Sequence, residues 1–426
     1  MAYGYSAYSE LNISIKIIIF LISALLIDVY INRGVRILYK DLKNKLIRRT
    51  AFIFHWIIFL VFAGLIFFFF LRKGAKPDDY LRSRVYFLII TLFILNYFPK
   101  IIFSIFILMR DVLTFIKFSL IKLLKRNVTS NYLIRKYFLK IGLILNVIFF
   151  IIILHSILIQ KYNFKIKTTE VVCQNLPPAF EGFKIVQFSD THFGSFKKEN
   201  TFEEAINIIN NLKPDIIVFT GDMVNFTGRE AKNQVKIFSK LNAKYGMYSI
   251  LGNHDYADYI LSYTQDKKDN SISLLKKYQE QMGFSVLENQ SKSIKINNDS
   301  IEILGVGNWG TPPYKIYGNL DKAMQNTAKS TFKILLSHDP EHWEYEIVPK
   351  NYDINLTLSG HTHGGQFGID IGKFKCSPIS LKYKYWSGLY KEKEKYLYVN
   401  TGLGVIGFLG RIGIRPEISE IILKKY

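Results

Sequence analysis

The sequence predicts two parts of different class: a multi-span, all-α membrane region over residues 1–160, followed by an α/β layered domain over residues 161–426. Three observations carry the prediction. Four apolar stretches of membrane-crossing length all fall before residue 160. Charge is divided unevenly, with 22 Lys+Arg against 6 Asp+Glu in residues 1–160 and 34 against 28 in the remainder. From Lys165 onward the pattern changes to short apolar runs alternating with amphipathic segments, the mark of strands interleaved with helices.

The predicted spans are 13–31, 51–71, 85–108 and 141–159, each about the 20 residues that a helix needs to cross hydrocarbon. The first lacks the basic leader and small-residue cleavage site of a signal peptide, so it is expected to stay. In the third, Asn96, Pro99 and Lys100 interrupt the apolar run. Pro99 is expected to kink that span, or to end it with an interfacial helix following. Asp28, His55 and His155 are expected at helix contacts or span ends; without repeats or paired broken helices, transport is the minor reading.

Basic residues beside apolar spans favour anionic headgroups and set orientation. Interleaved with membrane-length runs, they point away from nucleic acid, and no nucleic-acid partner is expected. The loop after the first span carries Arg33, Arg36, Lys40, Lys43, Lys45, Arg48 and Arg49, and the loop after the third is equally basic. The positive-inside rule places both in the cytoplasm, so four crossings deliver the C-terminal domain to the outer side. Cys173 and Cys376 are too few for a disulfide framework and fit no metal spacing, and two thiols are expected.

In the C-terminal part, strands are expected at 184–189, 215–220, 247–251, 332–337, 353–358 and 395–400, and paired strands across 284–305 turning at Asn297-Asn298-Asp299. Helices are expected at 199–212, 228–241 and 271–282. Functional groups of an open α/β sheet gather past the carboxyl ends of its strands, and here those ends are rich in possible ligands. After 184–188 come Asp190 and His192, whose alternate placement lets both grip one ion. After 216–219 comes Gly221-Asp222, a carboxylate that can bridge two ions where glycine allows close approach.

After 248–251 comes Gly252-Asn253-His254-Asp255. Asn253 offers an amide oxygen, His254 can donate to a substrate oxygen, and Asp255 can orient that imidazole and keep it protonated. His338 follows the next strand, with Asp339 and His342 expected to be structural or solvated. Gly360-His361-Thr362-His363 closes the set with two histidines suited to adjacent metals. Each pattern alone is common. Together, five of eight histidines fall on strand ends of one half, in an order that supplies two ligand sets.

Asp190-x-His192, Gly221-Asp222, Gly252-Asn253-His254-Asp255, His338 and Gly360-His361-x-His363 resemble, in order, the five signature blocks of the calcineurin-like metallophosphoesterase family. The tail Tyr398-Val399-Asn400-Thr401-Gly402-Leu403-Gly404, with Arg411 and Arg415-Pro416-Glu417-Ile418, is similar to its bacterial membrane-associated branch. The resemblance covers about 165–426 and implies a four-layer α/β/β/α sandwich in a bacterial cell (inner) membrane protein. It implies that Asp190, His192 and His363 hold one ion, that Asn253, His338 and His361 hold a second, and that Asp222 bridges them. His254 would then face the scissile phosphate.

Two such ions can bind a phosphoryl group and lower the pKa of a shared water, so that a bridging hydroxide attacks phosphorus. Arg411 is expected to join His254 in offsetting charge on the phosphoryl oxygens. The mixed N/O donors suit Mn, Fe or Zn. The anchor and the branch point to a phosphodiester of lipid or envelope origin, with Lys382, Tyr383, Lys384, Tyr385, Trp386 and Tyr390 as candidate contacts to an acyl chain or headgroup. A membrane receptor or scaffold without turnover, or a transporter with a regulatory metal domain, are the alternatives.

Overall fold

The computed structural model describes residues 2–40, 44–71, 79–124, 132–196, 198–260, 262–312, 314–328, 331–371 and 374–426. The chain forms two compact units, Met1–Lys76 with Val85–His155, and Pro77–Arg84 with Ser156–Tyr426.

Four helices build the N-terminal region: α1 (Ala2–Leu38), α2 (Lys45–Leu71), α3 (Asp79–Leu124) and α4 (Tyr132–Leu158). All four are long and apolar enough to cross a membrane, with candidate spans Ile18–Leu38, Lys45–Ile66, Arg84–Leu123 and Lys136–Tyr162. The third span, Arg84–Leu123, is longer than the expected 85–108. α3 neither ends nor gives way to a second helix at Pro99; it is one helix of 46 residues that carries the proline inside it. A proline removes one backbone hydrogen bond, which a long helix tolerates. Lys100 is neutralised within the bundle, its Nζ lying 2.7 Å from the Asp28 carboxylate. Tyr97 donates to the same carboxylate at 2.8 Å, and His55 Nε2 lies 3.3 Å from it. A buried charge inside a bundle is stable only when paired in this way. Asp28 and His55 thus sit at helix contacts, while His155 is an exposed residue of the last turn of α4.

The C-terminal unit contains β1 (Lys165–Cys173), β2 (Lys184–Phe188), α5 (Glu203–Asn211), β3 (Ile216–Phe219), α6 (Val235–Phe238), β4 (Met247–Ser249), α7 (Gln265–Gln281), β5 (Phe284–Val286), β6 (Gln290–Ile296), β7 (Asp299–Gly305), α8 (Leu320–Met324), β8 (Phe332–Leu336), β9 (Leu356–Ser359), β10 (Ile369–Ile371), β11 (Phe374–Cys376), β12 (Gly388–Glu392), β13 (Lys395–Val399) and β14 (Glu417–Lys425). They form two six-stranded sheets, β1-β14-β2-β3-β4-β5 and β12-β13-β9-β8-β7-β6, and a ribbon of β10 and β11.

Successive residues of a strand face opposite sides, and the buried positions show two interfaces per sheet. Ile185, Ile216 and Val218 face Ile303, Ile334, Leu336, Leu358 and Tyr398 between the sheets. Their neighbours Val186, Ile217 and Phe219 pack outward against α5, α6 and α7. Leu335, Leu397 and Val399 pack outward against α8 and Trp343. The result is the expected α/β/β/α sandwich.

Several elements differ in extent. Phe284–Val286 joins the first sheet beside β4, and only Gln290–Gly305 forms the expected pair, turning at Asn297 with φ 52°. The helix expected at 228–241 is a tight 3-10 run, Gly228–Gln234, before the short α6. The one expected at 199–212 likewise opens as 3-10, Glu199–Phe202, and α7 begins six residues before its expected start. β1, β14 and the ribbon were not anticipated. β1 is an edge strand whose Lys-Ile-Lys-Thr-Thr-Glu opening reads as polar, and it pairs in parallel with β14 from the far end of the chain.

Candidate metal centre

Each expected ligand lies where a central strand ends. Asp190 and His192 follow β2, Asp222 follows β3, Asn253 follows β4, His338 follows β8, and His361 and His363 follow β9. Hydrogen bonds lock the two sheets together beneath them. Gln187 donates to Thr220 Oγ1 at 3.0 Å in the first sheet and to the Ser359 carbonyl at 2.8 Å in the second. Asn400 accepts from Ser189 Oγ at 3.1 Å and donates to Ser419 Oγ at 2.7 Å.

Two donor groups result. Asp190, His192 and His363 form one, and Asp222, His338 and His361 the other. In the first, His192 Nε2 lies 3.0 Å from His363 Nε2, and Asp190 Oδ1 lies 3.3 Å from the same His363 atom. In the second, His338 Nε2 lies 3.2 Å from both His361 Nδ1 and Asp222 Oδ2. Asp222 Oδ2 is also 3.7 Å from His192 Nε2, so one carboxylate oxygen stands between the groups.

These residues fit a pair of cations. His192 Nδ1 donates to the Val224 carbonyl at 3.2 Å, and His338 Nδ1 donates to the Thr220 carbonyl at 2.7 Å. Both Nε2 atoms are thereby turned toward the other donors of their groups, the orientation that presents them to an ion. Asn253 Nδ2 donates to Tyr259 Oη at 2.6 Å, while its buried Oδ1 has no partner among the described residues. Burial holds His361 and His363 well below the ordinary imidazole range and brings His192 down to about 3. Burial also opposes charge on His338, but the Asp222 and Asp190 carboxylates outweigh it and push His338 up to about 10. The Asp222 carboxylate thus draws positive charge onto its neighbour, as it would draw a cation.

The backbone is strained here. Asp190, His192, Asp222, His361 and His363 all adopt positive φ, between 44° and 72°. Such conformations cost about 1 kcal/mol or more each outside glycine, and they cluster where function demands them. Glycine is required where the loops meet: a Cβ on Gly252 would lie 2.2 Å from Asp222 Oδ1, and one on Gly360 would lie 2.5 Å from Asp190 Oδ2.

His254 lies beside the first group, its ring centroid 5.0 Å from that of His192. Its Nδ1 donates to the Asn225 carbonyl at 2.8 Å, and Tyr259 stacks on its ring at 4.4 Å. Asp255 departs from its expected place. Its carboxylate does not orient His254 but accepts four backbone N–H groups, from Asp222, Met223 and Gly252 at 2.9 Å and Val224 at 3.2 Å. The tight turn at Gly252 points that side chain back under the β3 loop. Arg411 is fully buried and directed at loop carbonyls, with Nη2 bonding Thr401 at 2.8 Å, Gly402 at 3.0 Å and Gly404 at 2.7 Å, and lying 3.5 Å from His363 Nδ1. Its Nη1 has no hydrogen-bond partner among the described residues.

Two residues around the centre were not expected to touch a metal ligand. Tyr383 Oη lies 2.9 Å from His361 Nε2, and Asp339 Oδ2 lies 3.6 Å from the same atom. Asp339 is buried, which pushes its carboxyl up to about 7, so of the two expected outcomes it is structural and not solvated. Its position next to His338 was the available clue; Tyr383, 22 residues beyond His361, offered none. His342 is structural as expected, buried with Nδ1 2.8 Å from Ser337 Oγ and stacked on Trp309. Among the expected lipid contacts, Tyr385 packs on Trp343, and Trp386 is buried with Ile414. Only Lys382 and Tyr383 stand at the centre, with Lys382 Nζ 4.6 Å from the Tyr383 ring. Cys173 and Cys376 are both free thiols.

Residues 183–365 match the family described as Calcineurin-like phosphoesterase, and residues 13–161 match that described as Probable Calcineurin-like phosphoesterase, transmembrane domain. The metallophosphoesterase YkuE of Bacillus subtilis (strain 168) is 33% identical over 267 residues, covering 61% of this chain and 86% of its own length. A transmembrane protein with metallophosphoesterase domain from Bos taurus is 29% identical, covering 61% of this chain and 57% of its own. The UDP-2,3-diacylglucosamine pyrophosphatase LpxG of Chlamydia muridarum is 29% identical, covering 54% and 81%. Fold, donor set and relatives together define a phosphoester hydrolase joined to a transmembrane domain. The chain belongs to the calcineurin-like metallophosphoesterase family.

Proposed function

We propose that this protein is a membrane-anchored, two-metal phosphodiesterase acting on a lipid or envelope phosphoester at the outer face of the membrane. The observation that carries the reading is the pair of donor groups meeting at Asp222 Oδ2. In this reading Asp190, His192 and His363 hold one ion, His338, His361 and Asn253 Oδ1 hold the other, and Asp222 touches both. The mixed donors suit Mn, Fe or Zn. Bound there, the ions supply Lewis-acid polarisation of the phosphoryl oxygens and a more acidic water.

The chain's own residues do the rest. The Asn225 carbonyl fixes the proton on His254 Nδ1, so Nε2 is the atom that exchanges a proton with the substrate, donating to a phosphoryl or leaving oxygen once protonated. Tyr259 holds the plane of that ring. Tyr383 and Asp339 set the orientation of His361 from its far nitrogen. Arg411 keeps the loop 401–404 folded against Asp190 and adds positive charge beside His363.

Support for a lipid-borne substrate comes from the transmembrane domain and from LpxG, a relative named for a pyrophosphatase acting on a diacylated sugar nucleotide. The test is hydrolysis of an aryl phosphodiester by the full chain in detergent. Mn or Zn should support turnover, chelator should abolish it, and Asp222→Asn should lower it by at least about 10²-fold. Turnover indifferent to chelator would overturn the two-metal reading.

A further inference from the structure

The β10–β11 ribbon has an inverted polarity. In an antiparallel pair, residues directly opposite share a face, and the register sets Ile369 against Cys376 and Ile371 against Phe374. All four lie on one face, and that face is outward: Ile369 is 46% exposed, Ile371 74% and Phe374 62%, and Cys376 is exposed too. The polar residues point inward. Asp370 pairs with Lys167 at 3.2 Å, and Lys375 donates to the Ser387 carbonyl at 3.2 Å. A water-facing ribbon has the opposite arrangement. Leu381, shortly after the ribbon, is 93% exposed. Apolar exposure of this kind marks a surface meant to be covered.

What covers it follows from where it starts. The ribbon's base is tied to a loop by hydrogen bonds from Gly368 N to the Ile412 carbonyl at 2.9 Å and from Ile412 N to the Gln366 carbonyl at 2.7 Å. That loop carries the half-exposed apolar run Ile406-Gly407-Phe408-Leu409. It is fastened in turn to Ser156, in the last turn of α4, by Arg411 N donating to the Ser156 carbonyl at 3.4 Å. Ser156 and the residues to Tyr162 belong to the C-terminal unit and close the fourth candidate span. The ribbon is thus tied, through this one loop, to the residues that close the fourth candidate span. Lys382 beside Leu381 adds the cation that apolar membrane contacts keep at their edge. A second copy is a poor occupant. Two three-residue strands present on the order of 100–200 Å², against roughly 800 Å² per partner in a stable interface.

We infer that the apolar face of the β10–β11 ribbon, with Leu381, is seated in the lipid surface and holds the metal centre's rim against the bilayer. The ribbon begins six residues after His363, and Leu381 is two residues before Tyr383, whose hydroxyl touches His361. The inference rests on membrane anchorage and not on the proposed substrate, and its test reads no activity.

The full chain with Cys173→Ala carries a nitroxide on native Cys376 and is reconstituted in nanodiscs of phosphatidylcholine and phosphatidylglycerol. A second sample bears the label on Ile371→Cys in a Cys173→Ala/Cys376→Ser background, and a reference on Lys232→Cys, an exposed site, in that background. Collision rates with oxygen, which partitions into lipid, and with a neutral nickel chelate, which stays in water, are measured for each. The expected result is a several-fold higher oxygen-to-nickel ratio at 376 and 371 than at 232. A ratio equal to the reference would place the ribbon in water, and exclusion of both reagents would place it against protein; either overturns the inference. Cys376 is native, so that arm stands even if Ile371→Cys misfolds.

Discussion

His254 is held from one side by the Asn225 carbonyl at Nδ1 and from another by the stacked ring of Tyr259, and neither contact involves an expected metal ligand. Removing its side chain should therefore separate catalysis from metal binding. His254→Ala is expected to retain about two metal ions per chain by elemental analysis while kcat falls by roughly 10²–10⁴-fold. Loss of metal together with activity would show that the ring is a ligand. The ligands themselves behave differently. Five of the seven sit at positive φ, so strain and coordination are coupled. The residue types at these positions were legible in the sequence, because Asp-x-His and Gly-His-x-His spacings survive as local patterns. The partners of those residues were not. Asp255 was expected to serve the adjacent histidine, and three of its four backbone hydrogen bonds come from residues 31 to 33 positions away.

Those hydrogen bonds belong to the scale of elements. By accepting from Asp222, Met223 and Val224 after β3 and from Gly252 after β4, Asp255 stitches two loops that each carry an expected ligand. Asp255→Ala would leave these buried N–H groups without an acceptor, at a cost of roughly 3–5 kcal/mol. The C-terminal domain should then melt roughly 10 °C lower by tryptophan fluorescence. Asp255→Asn, which keeps one acceptor oxygen, should fall between the two. An unchanged melting temperature in the alanine variant would mean that the fork contributes nothing. Elements with strong local patterns were predictable: the central strands lie close to their expected positions because both faces are buried and their apolar runs are unbroken. Boundaries were less so. α3 holds Lys100 within the bundle because Asp28, on another helix, pairs with it, and no window of local sequence contains both.

At the scale of the whole molecule, the charge asymmetry carries the argument. The basic loops after the first and third spans set the expected orientation, in which four spans would leave the metal centre on the side opposite to them. In intact cells expressing the chain, a membrane-impermeant maleimide should label Lys232→Cys and leave Lys122→Cys unlabelled, both in a Cys376→Ser background. The reverse pattern would place the hydrolase on the cytoplasmic side. The two sheets, joined beneath the centre by Gln187 and Asn400, make the site a property of the sandwich and of neither sheet alone.

The sequence by itself determined the class of the two parts, the order of the central strands along the chain and the identity of the donor residues, because each is written in a window of a few residues or one helical period. The tertiary structure alone decided what touches what. It paired β1 with β14 across some 250 residues, turned Arg411 onto backbone carbonyls, brought Tyr383 and Asp339 to the far side of His361, and set an apolar ribbon face outward over an ion-paired inner one. Local pattern reports which face of an element is apolar; only packing determines whether that face meets the core or the surroundings.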